Sequence, residues 1–107
     1  MIEWLQDWYS SNCNGEWEHE NVVKIQSLDN PGWLLEINIV NLAAKAELKN
    51  WNVFEISEQN WIGYDVEDNK FTASGDSTKL EALIMIFKII LENGEIDDKY
   101  IYEHFLS

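Results

Sequence analysis

The sequence predicts an α+β domain in which an N-terminal helix and one long amphipathic helix pack on an antiparallel sheet of about four to five strands. Two observations lead to this fold class. Short segments of β-branched and aromatic residues alternate with polar turns in the middle of the chain, and apolar residues recur at helical spacing near both ends. The length of 107 residues suffices for one core, so we expect residues 1–107 to form a single domain.

The first helix is predicted over residues 2–11. Ile2, Leu5 and Trp8 recur at the spacing of a helix face that packs on a core. Asn14 and Gly15 follow as a stop signal, because glycine readily takes the left-handed backbone conformation that ends helices.

A strand hairpin is predicted next, with its turn at residues 30–33. Pro31 presets the first central position of a tight turn, and Gly32 is expected to supply the positive φ that a type II turn needs at the second. Alternate residues after the turn share one apolar face of the second strand: Trp33, Leu35, Ile37 and Ile39.

Three further strands are predicted as an antiparallel meander, at residues 51–56, 61–66 and 70–74. In the first of these strands Trp51 and Val53 point to one face, and Phe54 and Ile56 point to the other. The segment before it, residues 41–50, fits either one or two helical turns or a loop beside a strand edge.

The clearest helix follows Gly75. Thr78 and Glu81 fit a capping box at its start, and Asp76 or Ser77 is an alternative cap. Its apolar stripe is nearly continuous and contains Leu80, Leu83, Ile84, Phe87, Ile90 and Leu91. So apolar a helix must be covered on most sides, and we expect it to lie across the sheet and to contact the N-terminal helix.

The end of the chain is predicted to hold a short final helix. Asn93 and Gly94 stop the long helix. The final helix begins near Asp97, and Tyr100 and Ile101 lie on its apolar side.

The charge of the chain excludes several function classes. The formal net charge is −13, and residues 1–20 contain five acids and no base. Nucleic acid and anionic membranes would repel such a chain, and the absence of arginine argues against a nucleotide enzyme. A field of this sign favours a basic protein partner.

The compartment is expected to be the cytoplasm. Cys13 is the only cysteine, so an intrachain disulfide is excluded and a reducing compartment fits. The N-terminus lacks the basic region and apolar core of a signal peptide, and the most apolar run, residues 80–91, is too short to span a bilayer.

Two strings in the first half of the chain carry a family resemblance. The string of residues 8–19 and the Leu-Asp-Asn-Pro-Gly-Trp string of residues 28–33 resemble the immunity protein 53 family of bacterial polymorphic toxin systems, over roughly the first two-thirds of the chain. Val22 stands where the family is expected to have glycine. The residues that match the family's motif are Trp17, Glu18, His19, Asp29, Asn30, Gly32 and Trp33.

The resemblance implies a small cytoplasmic protein that neutralises a cognate toxin. Several motif residues are expected to be scaffold, because Asp29 and Asn30 would bond the backbone of their own turn and Gly32 would supply its φ. The family name implies the function class and leaves the toxin unidentified.

Catalytic and metal sites have few candidates. Cys13 and His19 form a possible nucleophile and base, but nearby carboxylates would raise the pKa of the thiol and suppress it. His19 is expected to orient a local turn through hydrogen bonds to Glu18 or a backbone carbonyl. Cys13, Glu18, His19 and His104 lack zinc-ligand spacing, so we predict no catalytic residues, metal or cofactor.

The aromatic residues favour a binding protein instead. Trp4, Trp8, Trp33 and Trp61 fit apolar stripes and are expected in the core. Trp17 and Tyr64 are flanked by acids and are expected to be partly exposed, where they would contact a basic surface. The predicted partner-binding residues are Glu16, Trp17, Glu18 and Glu20, joined by Asp65, Glu67 and Asp68.

The sequence therefore predicts an immunity protein that binds a basic toxin domain directly. Two alternatives stay open at this stage: a small thiol-dependent enzyme that uses Cys13 and His19, and a subunit of a homo-oligomer whose aromatic residues lie at its own interface.

Overall fold

The computed structural model describes residues 1–107, and its elements confirm the predicted α+β class. The helices are α1 (Ile2–Asn12), α2 (Trp17–Glu20), α3 (Leu80–Asn93) and α4 (Asp98–Phe105). The strands are β1 (Val22–Leu28), β2 (Gly32–Asn38), β3 (Lys49–Ser57), β4 (Asn60–Glu67) and β5 (Lys70–Asp76). None of the helices combines the length and the apolarity that crossing a bilayer would require.

The five strands form one antiparallel sheet in the order β1-β2-β5-β4-β3. The β1–β2 hairpin pairs through β2 with β5, and β3, β4 and β5 form the predicted meander. The segment left open by the sequence, residues 41–50, contains a short 3-10 turn at Leu42–Ala44 and the first two residues of β3. This connection carries the chain from the middle of the sheet to its far edge.

Helices cover one face of the sheet. The buried side chains of β2, β4 and β5 alternate along each strand and point to this face: Leu35, Ile37, Ile62, Tyr64, Val66, Phe71 and Ala73. The intervening residues form what we call the helix-free face, and those that are exposed or half-buried include Lys24, Leu34, Glu36, Trp51, Val53, Glu55, Trp61, Asp65, Glu67 and Lys70.

Phe87 of α3 joins the helices to the sheet. Its ring centroid lies 5.3 Å from that of Phe71 in β5, and 5.2 Å and 6.2 Å from those of Trp8 and Trp4 in α1. These aromatic contacts confirm the prediction that the long helix lies on the sheet and contacts the N-terminal helix.

The start of α3 differs from the predicted capping box. The N-cap residue is Lys79, which makes no side-chain cap. The hydroxyl of Thr78 instead donates to Oδ1 of Asp76 at 2.6 Å, and Nζ of Lys79 donates to Oδ2 at 2.8 Å. The backbone N–H groups of Trp61 and Thr78 donate to the same carboxylate, each at 2.9 Å. Asp76 was considered as a cap, but it serves as the centre of a buried network that ties α3 to β4.

This network sets the protonation of Asp76. Burial of the carboxyl opposes ionisation, but the hydrogen bonds from Lys79, Thr78 and the backbone N–H of Trp61 outweigh burial and lower the pKa of Asp76 to about 2. The ion pair is almost fully buried, so removing one partner leaves an uncompensated charge inside the protein.

The two other predicted helix ends are confirmed. Gly94 ends α3 with a φ of 88°, in the left-handed region. Asp97 caps α4, because its side chain accepts a hydrogen bond from the backbone N–H of Lys99 at 2.8 Å.

We expect Asp76→Asn to lower the free energy of unfolding at pH 7 by about 3 kcal/mol, because Lys79 would lose its buried counter-ion. A depressed carboxyl pKa stabilises the fold above the unfolded pKa of about 3.9 and ceases to do so as the pH falls towards 2. Urea denaturation at pH 7 and at pH 2.5 measures the destabilisation by Asp76→Asn and its decrease at low pH. Asp29→Asn, in the exposed β1–β2 turn, is the control, and an equal effect of the two variants at pH 7 would contradict the role of the network.

Candidate functional site

The region before β1 is a single helical turn, α2. The carboxylate of Glu18 accepts hydrogen bonds from the backbone N–H groups of Asn14, at 3.0 Å, and Gly15, at 2.9 Å. Gly15 has a φ of 96°, as expected for the predicted stop after α1. Hydrogen bonds from its own backbone and from Asn14 and Gly15 lower the pKa of Glu18. Glu18 therefore holds the backbone of this segment.

Trp17 is half-buried, in agreement with its predicted partial exposure, and its ring packs edge-on against Trp8 and Tyr9 with centroid distances of 5.6 Å for both pairs. The prediction that His19 orients the turn is wrong, because its ring is exposed and makes no hydrogen bond, and Glu18 orients the turn instead. Glu16 and Glu20 remain exposed, with side chains free for contact.

Cys13 lies at the C-terminal end of α1. Its thiol donates to the carbonyl oxygen of Tyr9 at 3.2 Å and is half-buried. It makes no hydrogen bond to His19, so the two residues are not aligned as a nucleophile and base. No group of three or more histidine, cysteine, aspartate or glutamate side chains is arranged to hold a metal ion.

Gly32 does not have the predicted positive φ, and it is the first residue of β2. A Cβ atom at Gly32 would lie 2.5 Å from the carbonyl oxygen of Gly75, so β2 can approach the backbone of β5 here because Gly32 lacks a side chain. The prediction that Asp29 and Asn30 bond their own turn is also wrong, since neither side chain donates or accepts a hydrogen bond. Trp33 instead donates from Nε1 to the carbonyl oxygen of Ser77 at 3.0 Å.

Gly32 therefore lets β2 lie against β5, and Trp33 ties β2 to the segment that leads from β5 to α3. Two of the residues that match the family motif thus have a structural role.

The predicted binding residues lie in two groups at the same end of the sheet. The register aligns Val22, Asn38, Lys70 and Glu67 across four neighbouring strands. Adjacent strands are about 4.8 Å apart, so Val22 and Glu67 are about 14 Å apart. Glu16 and Glu20 lie just before Val22 in the chain, and Asp68 lies just after Glu67.

Hydrogen bonds connect the two groups. The backbone N–H of Val40 donates to Oδ1 of Asn21 at 2.7 Å, and that of Asn41 donates to Oδ1 of Asn69 at 3.1 Å. The residues after β2 thereby bridge the end of α2 and the β4–β5 turn. This end of the sheet is a continuous ordered surface that carries the exposed carboxylates of both groups.

Asp65 lies on the helix-free face. Its Oδ1 atom is buried and accepts no hydrogen bond from another residue. Burial and the neighbouring charge of Glu67 raise the pKa of Asp65, and Lys70 and Thr72 only partly oppose this shift. The ionised carboxylate is therefore less favourable here than in water.

The most exposed aromatic residue is Trp51, and the partial exposure predicted for Tyr64 is wrong. Tyr64 points to the helix-covered face and is only 2% exposed, whereas Trp51 is 46% exposed on the helix-free face. Of the four tryptophans expected in the core, Trp4, Trp8 and Trp33 are half-buried and pack against it, and Trp61 is half-buried on the helix-free face. The alternation of Trp51 with Phe54 was visible in the sequence, but the face that the helices cover was not.

Further carboxylates surround a cavity of about 530 Å³ between β3 and the start of α4. Lys49 lines this cavity and donates a hydrogen bond to Asp98 at 3.3 Å. The carboxylate of Glu47 raises the pKa of Glu95, because it accepts a hydrogen bond from the protonated acid and repels the ionised form.

Fold and surface together define a small acidic α+β protein whose exposed carboxylates and aromatic residues are spread over a sheet face and one sheet end. The family model of immunity protein 53 matches residues 2–92, and the chain belongs to this family. The match extends further than the first two-thirds of the chain, over which the resemblance was noted. No curated protein and no solved structure matches the chain. Family membership indicates toxin immunity as the function class.

We expect Gly32→Ala to lower the free energy of unfolding by about 1–3 kcal/mol, because the added methyl group must push β2 away from the backbone of β5. Urea denaturation measures the change. Ser27→Ala, an exposed position on β1, is the control. Equal stability of Gly32→Ala and the wild type would contradict the structural role of this motif residue.

We expect Asp65→Asn to raise the free energy of unfolding at pH 7, because it removes a carboxylate whose ionised form is unfavourable in the fold. The gain should be at most about 1 kcal/mol, since water screens a half-buried carboxylate. A raised carboxyl pKa destabilises the fold above the unfolded pKa of about 3.9, so the gain should vanish below about pH 3. Denaturation at several pH values measures it. Glu55→Gln, exposed on the same face, is the control. A loss of stability for Asp65→Asn at pH 7 would refute this reading of the site.

Proposed function

We propose that this chain neutralises a cognate bacterial toxin domain by binding it directly, without catalysis or a cofactor, and that the toxin domain presents a basic surface. The family match supplies the function class. The observation that carries the choice of partner is the surplus of unpaired carboxylates. The net charge is −13, and five of the seven lysines lie within 4.0 Å of a carboxylate in the same chain.

This charge distribution suits the task of an immunity protein. An inhibitor must find its toxin quickly and release it slowly. Excess negative charge steers a basic partner into contact and raises the association rate, and aromatic side chains buried on binding slow dissociation. Toxins that act on nucleic acid need basic clefts to hold phosphate groups, so they are partners of the required sign.

The proposed contact surface contains the residues predicted from the sequence: Glu16, Trp17, Glu18, Glu20, Asp65, Glu67 and Asp68. Glu16, Glu20, Glu67 and Asp68 are exposed at one end of the sheet and would meet the partner. Trp17 and Glu18 would support that surface from below, through their contacts with α1 and with the backbone at Gly15.

We expect the gene immediately upstream to encode a polymorphic toxin with a basic C-terminal domain, and the test uses an inactivated form of that domain. We expect it to form a complex with this chain, with an association rate that falls steeply as salt rises. In the double variant Glu16→Lys with Glu20→Lys, the association rate should fall by about tenfold, measured by stopped-flow or surface plasmon resonance.

The matched control is Asp29→Lys with Glu58→Lys, which changes the net charge equally at the opposite end of the sheet. If both double variants associate as fast as the wild type, charge at this end of the sheet does not guide binding. If the wild-type chain does not bind the toxin domain, the proposed function is wrong. A stable homo-oligomer would appear as a solution mass above 12.6 kDa.

A further inference from the structure

The helix-free face of the sheet is divided into two halves of different character. On the half formed by β1, β2 and β5, Lys24 and Lys70 both lie beside Glu36, at 4.0 Å and 3.6 Å. The charges on this half therefore compensate one another within the chain.

The half formed by β3 and β4 is centred on Trp51. A Cβ atom at Gly63 would lie 2.6 Å from the indole of Trp51, so the ring packs directly against the backbone of β4. Val53 pairs with Gly63 in the register, and both Trp51 and Val53 are 46% exposed. Trp61 is half-buried on the same face of β4. These side chains form one exposed apolar patch on a rigid sheet.

Carboxylates border this patch. Glu55 lies opposite Trp61, and Asp65 and Glu67 continue along β4 on the same face. None of the three carboxylates has a lysine within 4.0 Å, because Lys70, the nearest in the register, pairs with Glu36. The patch therefore combines apolar area with carboxylates that form no ion pair within the chain.

We propose that this β3–β4 patch, with Trp51 at its centre, is the surface on which the cationic face of the cognate toxin domain docks. The inference rests on the proposed function and adds the contact that slows dissociation. A tryptophan held against a strand loses little side-chain freedom on binding. Its exposed ring face suits the apolar stem and cationic head of a lysine or arginine.

Charge selects this occupant over a second copy of the chain. Face-to-face pairing of two copies would bring two molecules of net charge −13 together and oppose Glu55, Asp65 and Glu67 with their own like charges. A basic partner would instead be attracted by these carboxylates, and its cations would also favour the ionised form of Asp65.

The shape of the β3 edge favours docking on the face of the sheet. The pairing of β3 with β4 shifts register twice, between Lys49 and Asn52 and between Glu55 and Ser57. Such irregularities make an edge a poor template for an added strand. A partner on this side of the protein therefore contacts the side chains of the face.

The experiment measures binding of the same inactivated toxin domain to Trp51→Ala by isothermal titration calorimetry and surface plasmon resonance. We expect Kd to rise by about 30-fold or more, mostly through faster dissociation, as for other central aromatic contacts. Circular dichroism checks that the variant is folded. Glu55→Lys changes an exposed side chain that the fold does not need, and it should raise Kd about tenfold through slower association.

The control is Ile25→Ala, which removes an apolar side chain of 39% exposure from the groove between α1 and β1. It should leave Kd within about twofold of the wild type. If the wild type binds and both Trp51→Ala and Glu55→Lys bind equally tightly, this inference is wrong and the proposed function stands. A dimer of the chain alone that Trp51→Ala dissociates would also overturn it. Absence of wild-type binding would overturn the proposed function itself.

Discussion

The structure depends on one constraint: helices cover a single face of the five-stranded sheet. Side chains alternate across each strand, so β4 sends Ile62 and Tyr64 into the core while Gly63 and Asp65 face the other way. The same alternation leaves Trp51 outside the core. A large aromatic residue that contributes little to the core remains available for a partner, and that is the physical basis of the binding surface that we propose.

The position of the helix layer is set by a few contacts at the start of α3. The carboxylate of Asp76 joins β4, β5 and Lys79, and the close approach of Gly32 to Gly75 brings β2 against β5. Trp33 adds a hydrogen bond to the segment between β5 and α3. Residues of the family motif thus help to build the scaffold, and the exposed carboxylates at the other end of the sheet are free to serve recognition.

Local patterns predicted the elements well, because the period of apolar residues depends on neighbours in the chain. The helices α1, α3 and α4 and the β3–β5 meander were predicted from it, and Gly94 itself predicted the end of α3. Long-range partners account for the errors. Thr78 donates a hydrogen bond to Asp76 and does not cap α3. Gly32 is needed because a side chain at this position would clash with the backbone of β5. Tyr64 is buried because helices cover its side of the sheet, and the spacing of residues along β4 does not predict which side is covered.

Docking of the toxin domain on Trp51 is tested most directly by hydroxyl-radical footprinting of the six tryptophans, with and without the bound toxin domain. In the free chain, the more exposed Trp51 should oxidise faster than the half-buried Trp17. We expect the complex to protect Trp51 strongly, to protect Trp61 to a smaller degree and to leave Trp4 unchanged. Unaltered oxidation of Trp51 in a saturated complex would contradict it.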